Sequence, residues 1–148
     1  MSLRSLLFPF LLLFMLTGLM ASCPAPSPDG GGIKFFNGTW KEVLAKASAE
    51  KKPIFLDIYA TWCGPCKLLK RETFVNKEVA KFYNANFINV SLDGEKDDGA
   101  ILAEQYRIPG YPSLFIFDNQ GKPILTTSGF LPAKEFLQFG QDALKRIK

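Results

Sequence analysis

The sequence contains no histidine. That absence removes the Ser/His and Cys/His nucleophile–base pairs and most zinc and haem sites. Cysteine is scarce: Cys23, Cys63 and Cys66 are the three in the chain. A structural zinc site needs four ligands, so the close pair Cys63/Cys66 has no partners with which to complete one. An excess of one charge is missing too. Lys and Arg number 18 against 14 Asp and Glu, and the basic residues are scattered, which gives no case for a nucleic-acid surface. A long apolar run is also lacking. The stretch from Leu6 to Leu16 is interrupted by Pro9 and falls short of the ~20 residues a spanning helix requires. What is abundant is phenylalanine, 14 residues of it, in a chain of 148 that is long enough for one compact core.

Residues 1–22 carry one positive charge, Arg4, then the apolar run, then small residues Ala21-Ser22 before Cys23. This is the layout of a secretory signal peptide. Leu19-Met20-Ala21-Ser22-Cys23 resembles the lipobox of bacterial lipoproteins, which implies that Cys23 is acylated and becomes the first mature residue. Met20 departs from the usual aliphatic residue at its place. A plain signal peptide with Cys23 unmodified is the alternative. Lipidation also accounts for the odd cysteine, which would otherwise invite mispairing in an oxidising compartment. Residues 23–32, with Pro24, Pro26, Pro28 and Gly30-Gly31-Gly32, cannot build helix or strand and read as a tether with a flexible glycine end. Residues 33–148 then form the one domain.

Within it, Thr39-Trp40-Lys41-Glu42 has capping-box spacing and predicts a helix to about Lys51, stopped by Pro53. Ile54–Ala60 is a near-continuous apolar run, as expected of a buried central strand. A helix opens at Cys63–Cys66 and runs through Leu69, and another starts at Asn76 and reaches about Tyr83. Residues 87–92 alternate as a strand, and Asp97-Asp98 cap a helix containing Ile101, Leu102 and Tyr106. Ser113–Phe117, the turn Asp118–Gly121 and Pro123–Thr127 form a hairpin. Pro132 opens a last amphipathic helix with Phe136, Leu137, Phe139, Ala143, Leu144 and Ile147 on its apolar face. Strand–helix–strand followed by hairpin–helix predicts an α/β fold, a central mixed sheet with helices on both faces.

Trp62-Cys63-Gly64-Pro65-Cys66 follows the central strand directly and opens a helix. Cysteines three apart in a first helical turn can join without distorting the backbone. Cys63 sits where unpaired N–H groups and the macrodipole favour a thiolate, and Cys66 lies one turn in, more buried. Pro65 falls in the first turn, where a missing N–H costs nothing. An inert disulfide is the competing reading, but so short a loop would stabilise the fold little.

At these residues the chain resembles the thioredoxin superfamily, over residues 35–147. The stretch Leu56–Lys67, with Glu72-Thr73-Phe74 and Val79, is most similar to the periplasmic C-terminal domain of the DsbD reductase and its single-domain relatives. The resemblance implies a thioredoxin fold and a thiol–disulfide oxidoreductase cycling through Cys63 and Cys66, with no cofactor beyond that pair. It implies that Asp57, six residues before Cys63, is the buried carboxylate that takes the proton of Cys66. Desolvation in an apolar strand should raise its pKa toward a usable base. A partly exposed acid at the strand end is the alternative for Asp57. Gly110-Tyr111-Pro112 matches the family's cis-proline, with Tyr111 free to pair with a substrate peptide beside Trp62, Gly64 and Pro65; Pro109 is the competing proline, with a spacing to the strand that fits less well. Trp62 is either a lid over the disulfide or core filler. Thioredoxin has a lysine near the buried acid on the next strand, and Asn89 is the expected occupant of that place.

The expected activity is reduction of disulfides in exported proteins by a monomer held on the periplasmic side of a membrane by its lipid. Electrons would come from a membrane donor of DsbD or CcdA type. An oxidant or isomerase, a polypeptide-binding lipoprotein chaperone, and a soluble periplasmic or secreted form are the alternatives.

Overall fold

The computed structural model describes residues 31–147. The signal segment, Cys23 and the tether through Gly30 lie outside the described residues. The elements run α1 (Trp40–Glu50), β1 (Ile54–Tyr59), α2 (Gly64–Leu68), a π-helical turn (Leu69–Thr73), α3 (Lys77–Asn86), β2 (Ile88–Asp93), α4 (Asp97–Gln105), β3 (Ser113–Phe117), β4 (Pro123–Ser128) and α5 (Ala133–Ile147). The sheet order is β2-β1-β3-β4, with β1 parallel to β2 and β3 antiparallel to both its neighbours.

Side chains alternate across β1, and both faces are covered. Ile54, Leu56 and Ile58 pack with Val43 and Ala47 of α1 and Leu102 of α4. Phe55 points the other way, into Val79, Tyr83, Phe136 and Ala143 of α3 and α5. Burial on both faces is why the β1 sequence lacks an alternating pattern. The phenylalanines gather on the second face: Phe55 meets Phe74, Tyr83 and Phe136 edge-on. Tyr83 stacks on Phe136 with centroids 4.3 Å apart, and its hydroxyl donates to the Phe136 carbonyl at 2.7 Å. Gly140 lets α5 approach α3 this closely, since a Cβ there would lie 2.7 Å from the Phe82 ring.

The helix starts follow local chemistry. Thr39 and Glu42 form the capping box of α1, and Asn76 Oδ1 accepts from the N–H groups of Glu78 and Val79 to start α3. The start of α4 differs from expectation. Its N-cap is Lys96 without a side-chain cap, and the Asp98 carboxylate accepts instead from the Trp40 N–H at the head of α1. The helix after Cys66 also differs: it widens at Leu69 into a π turn, and α3 runs three residues past Tyr83.

Residues 33–36 are held between the end of the π turn and β2, which sequence patterning did not indicate. Phe36 N–H donates to the Asn89 carbonyl at 2.8 Å, and Ile33 N–H to the Phe74 carbonyl at 2.8 Å. The glycine end of the tether is docked here: Asn84 Nδ2 donates to the Gly32 carbonyl at 3.1 Å. Among the described residues no helix is long and apolar enough to cross a membrane.

Candidate active site

Cys63 is the N-cap of α2, and its Sγ accepts the N–H of Cys66 at 3.1 Å. The two sulfurs are joined in a disulfide, with Cα atoms 5.3 Å apart. Sequence position suggested that Cys66 is the more buried, but each residue is 2% exposed. What distinguishes the two is the helix end. Cys63 Sγ caps the first turn by accepting the Cys66 N–H, whereas Cys66 sits within α2. Gly64 and Pro65, between them, are both exposed. Among the described residues no group of three or more potential ligands is placed to hold a metal ion.

Trp62 and Tyr111 flank the pair. Trp62 is 66% exposed, which rules out core filler, and its Nε1–H donates to Glu95 Oε1 at 3.0 Å. Its ring meets Tyr111 edge-on, with centroids 5.9 Å apart. Tyr111 packs against the cluster of Ala60, Cys63 and Cys66, and the Tyr111–Pro112 bond is cis. Burial first, then the charges of Glu95 and Asp93, hold the Tyr111 hydroxyl above its usual pKa. Glu95 sits in the β2–α4 loop, where no sequence signal marked it.

Asp57 shares the face of β1 that carries Phe55, the face covered by the helical run beginning at Cys63. It is 1% exposed, which disposes of the strand-end alternative. Ser91 Oγ donates to its Oδ2 at 2.8 Å, and its Oδ1 has no hydrogen-bond partner among the described residues. Burial pushes the carboxyl up to about 6, with the Ser91 hydrogen bond and the Lys70 charge pulling against it.

The expectation for Asn89 is corrected by the register. In the parallel β1–β2 pair Asp57 lies opposite Ser91, and Asn89 lies opposite Phe55. Asn89 Nδ2 donates to the Asn84 side chain at 3.2 Å and to the Lys34 carbonyl at 3.4 Å, so it serves the docked segment rather than the acid. The cation felt by Asp57 comes from a different element altogether. Lys70, in the π turn, places Nζ 3.3 Å from the centre of the Tyr59 ring.

Residues 40–144 match the family described as the thioredoxin-like domain, and the chain belongs to that family. Over 147 residues it is 32% identical to the thiol:disulfide interchange protein DsbD of Colwellia psychrerythraea, covering 90% of this chain and 24% of that protein. It is 34% identical over 110 residues to chloroplastic thioredoxin Y of Oryza sativa subsp. japonica, covering 74% and 60%. Among solved structures, a proposed disulphide-isomerase from Bacteroides thetaiotaomicron superposes with a TM-score of 0.71 at 32% identity, covering 79% of this chain and 97% of that one. The reduced C-terminal domain of Neisseria meningitidis DsbD gives a TM-score of 0.59 at 26% identity, covering 70% and 92%. The chain spans about a quarter or less of the length of the DsbD relatives it matches. A thioredoxin-like domain with the Cys63–Cys66 disulfide at a helix N-terminus is a thiol–disulfide oxidoreductase.

Proposed function

We propose that the protein is an extracytoplasmic reductant of disulfides in exported proteins, tethered to a membrane by lipid on Cys23. The observation that carries the chemistry is Cys63 Sγ at the head of α2, with the buried Asp57 carboxyl beneath the same helical run. In the reduced protein the Cys63 thiolate attacks a substrate disulfide, displacing one substrate sulfur as a thiolate that takes up a proton. Cys66 then loses its proton to Asp57, and its sulfur attacks Cys63 Sγ, releasing the second substrate sulfur. Two electrons pass to the substrate, and the Cys63–Cys66 disulfide remains. Trp62, Gly64 and Pro65 form the exposed rim, and the backbone of Tyr111 before Pro112 pairs with the substrate chain. A membrane dithiol donor of DsbD or CcdA type restores the reduced pair, a role supported by the DsbD relatives. The protein works as a monomer and needs no cofactor other than its cysteines.

The direction of flow follows from the residues between the cysteines. A donor or positive charge there would stabilise the thiolate and make the disulfide oxidising. Gly64 and Pro65 offer no side-chain donor and no charge, so the dithiol should be a good reductant. Equilibration with a dithiothreitol buffer should give a potential nearer thioredoxin's about −270 mV than DsbA's about −120 mV. The competing reading, an isomerase, is favoured by the Bacteroides neighbour. It wins if the potential is more positive than about −180 mV. A polypeptide-binding chaperone is a third reading, separated by insulin reduction: catalysis should vanish in Cys63→Ser, and binding indifferent to that change would favour the chaperone.

A further inference from the structure

The buried acid of β1 has neighbours that do not derive from any one motif. Ser91 reaches it from β2, directly across the sheet, and occupies Oδ2 at 2.8 Å. Lys70 reaches the same neighbourhood from the π turn, one turn beyond Cys66 and four residues on, the spacing of neighbours on a helical surface. Its ammonium lies 3.3 Å from the centre of the Tyr59 ring. Tyr59 and Asp57 project from the same face of β1. The aromatic face therefore steers an otherwise exposed lysine to a fixed place on the flank of the acid.

We propose that Lys70 and Ser91 are positioning residues for the proton transfer between Cys66 and Asp57, Ser91 orienting the carboxyl and Lys70 supplying the charge that sets when it accepts. The proposal rests on Asp57 being the proton acceptor of Cys66. With Ser91 on Oδ2, the unpartnered Oδ1 is left as the oxygen that receives the proton. The proton leaves Cys66 Sγ, the Cys66 sulfur bonds to Cys63 Sγ, and the substrate sulfur departs with the electron pair of the broken bond.

Among the described residues the remaining surroundings of Asp57 supply no competing cation. Opposite Asp57 on β3 lies Leu114, which does not titrate. On β2 the next residue of the same parity, Asp93, is paired with Lys96 at 3.3 Å. From the α3 and α5 side comes Tyr83, whose hydroxyl is bonded to the Phe136 carbonyl. α2 brings Cys63 and Cys66 themselves and the exposed Lys67. Among the described residues Lys70 is the cation whose charge acts on the carboxyl, and it opposes the desolvation of the charged form. Because Lys70 is exposed, its influence should weaken with salt, whereas the short, part-buried bond from the neutral Ser91 hydroxyl should not.

The test follows reduced protein reacting with an aromatic disulfide that releases two coloured thiolates. The first release reports attack by Cys63, and the second reports attack by Cys66 on the mixed disulfide. In Lys70→Met the acid limb of the second step should move up by roughly half a pH unit, as for one partly solvated charge. Lys70→Arg should keep the wild-type limb, and wild type in 1 M salt should move toward Lys70→Met. Ser91→Ala should also move the limb up, insensitively to salt, with Ser91→Thr restoring it. Superposable limbs for wild type and Lys70→Met at low salt would overturn the role of Lys70. Asp57→Asn separates the two levels. If it leaves the limb in place, Asp57 is not the acceptor and both readings fall. If it abolishes the limb while Lys70→Met leaves it unmoved, only the Lys70 assignment fails.

Discussion

A carboxyl held without water inside a sheet costs stability whenever it is charged, and Asp57 lets that cost be read against pH. Its pKa is raised to about 6, mainly by burial, from an ordinary value of 3.8. Well below pH 4 the group is protonated in both folded and unfolded chains and contributes nothing. As pH rises from 4 to 6 the unfolded chain ionises first, so stability falls, and above 6 the loss is constant. Removing the charge should recover it: oxidised Asp57→Asn should be more stable than wild type by about 3 kcal/mol at pH 7. The two should unfold alike near pH 3.5. Denaturant titrations at the two pH values check this, and an equal difference at both would assign the effect to packing rather than charge. The cysteines differ at the same scale. Cys63 caps the helix and Cys66 does not, so alkylation of the reduced protein at mildly acidic pH should label Cys63 first. Faster labelling of Cys66 would reverse their roles.

At the scale of elements, legibility in the sequence followed the range of the interaction that fixes each feature. Capping box, asparagine cap, hairpin turn and last helix all depend on residues within one turn of each other, and all form where their spacing places them. The Asn76 cap is measurable on its own: Asn76→Ala, which leaves two N–H groups of α3 without their acceptor, should cost about 1 kcal/mol in thermal unfolding. What patterning missed depends on distant partners. The parallel register of β1 and β2 has no tight turn to fix it, and so the residue facing Asp57 was misplaced by two, at Asn89 instead of Ser91. Asp98 resembled a cap for its own helix because the Trp40 N–H that it serves is 58 positions away in sequence. The π turn that presents Lys70 left no mark in composition, and nothing in a loop such as 94–96 announces that Glu95 will meet Trp62. The cysteine pair was legible from its own spacing, whereas the burial of Asp57 and the cis Tyr111–Pro112 bond were expected only through the family resemblance. The electrostatic setting of these residues was not legible.

On the scale of the whole molecule, the two ends of the parallel strands have separate uses. The disulfide lies beyond the C-terminal end of β1, near the loop after β2 that carries Glu95. The chain enters at the other end. Ile33 bonds to Phe74, which closes the helical run that opened at Cys63, so entry and disulfide lie at opposite ends of that run. Asn84 and Asn89 fix this entry by bonding the carbonyls of Gly32 and Lys34. Gly32, held by Asn84, therefore lies at the pole away from the redox pair, an arrangement compatible with the proposed lipid anchor on Cys23. The expectation joins the anchor to the site. Wild type should partition into a detergent phase and Cys23→Ser into the aqueous one, while insulin reduction in detergent solution proceeds equally fast in both. Immobilising the soluble form through its N-terminus should likewise leave the rate unchanged. Identical aqueous partitioning of the two forms would remove the lipid from the proposal, and a rate lost on N-terminal immobilisation would show that the entry pole takes part in docking substrate.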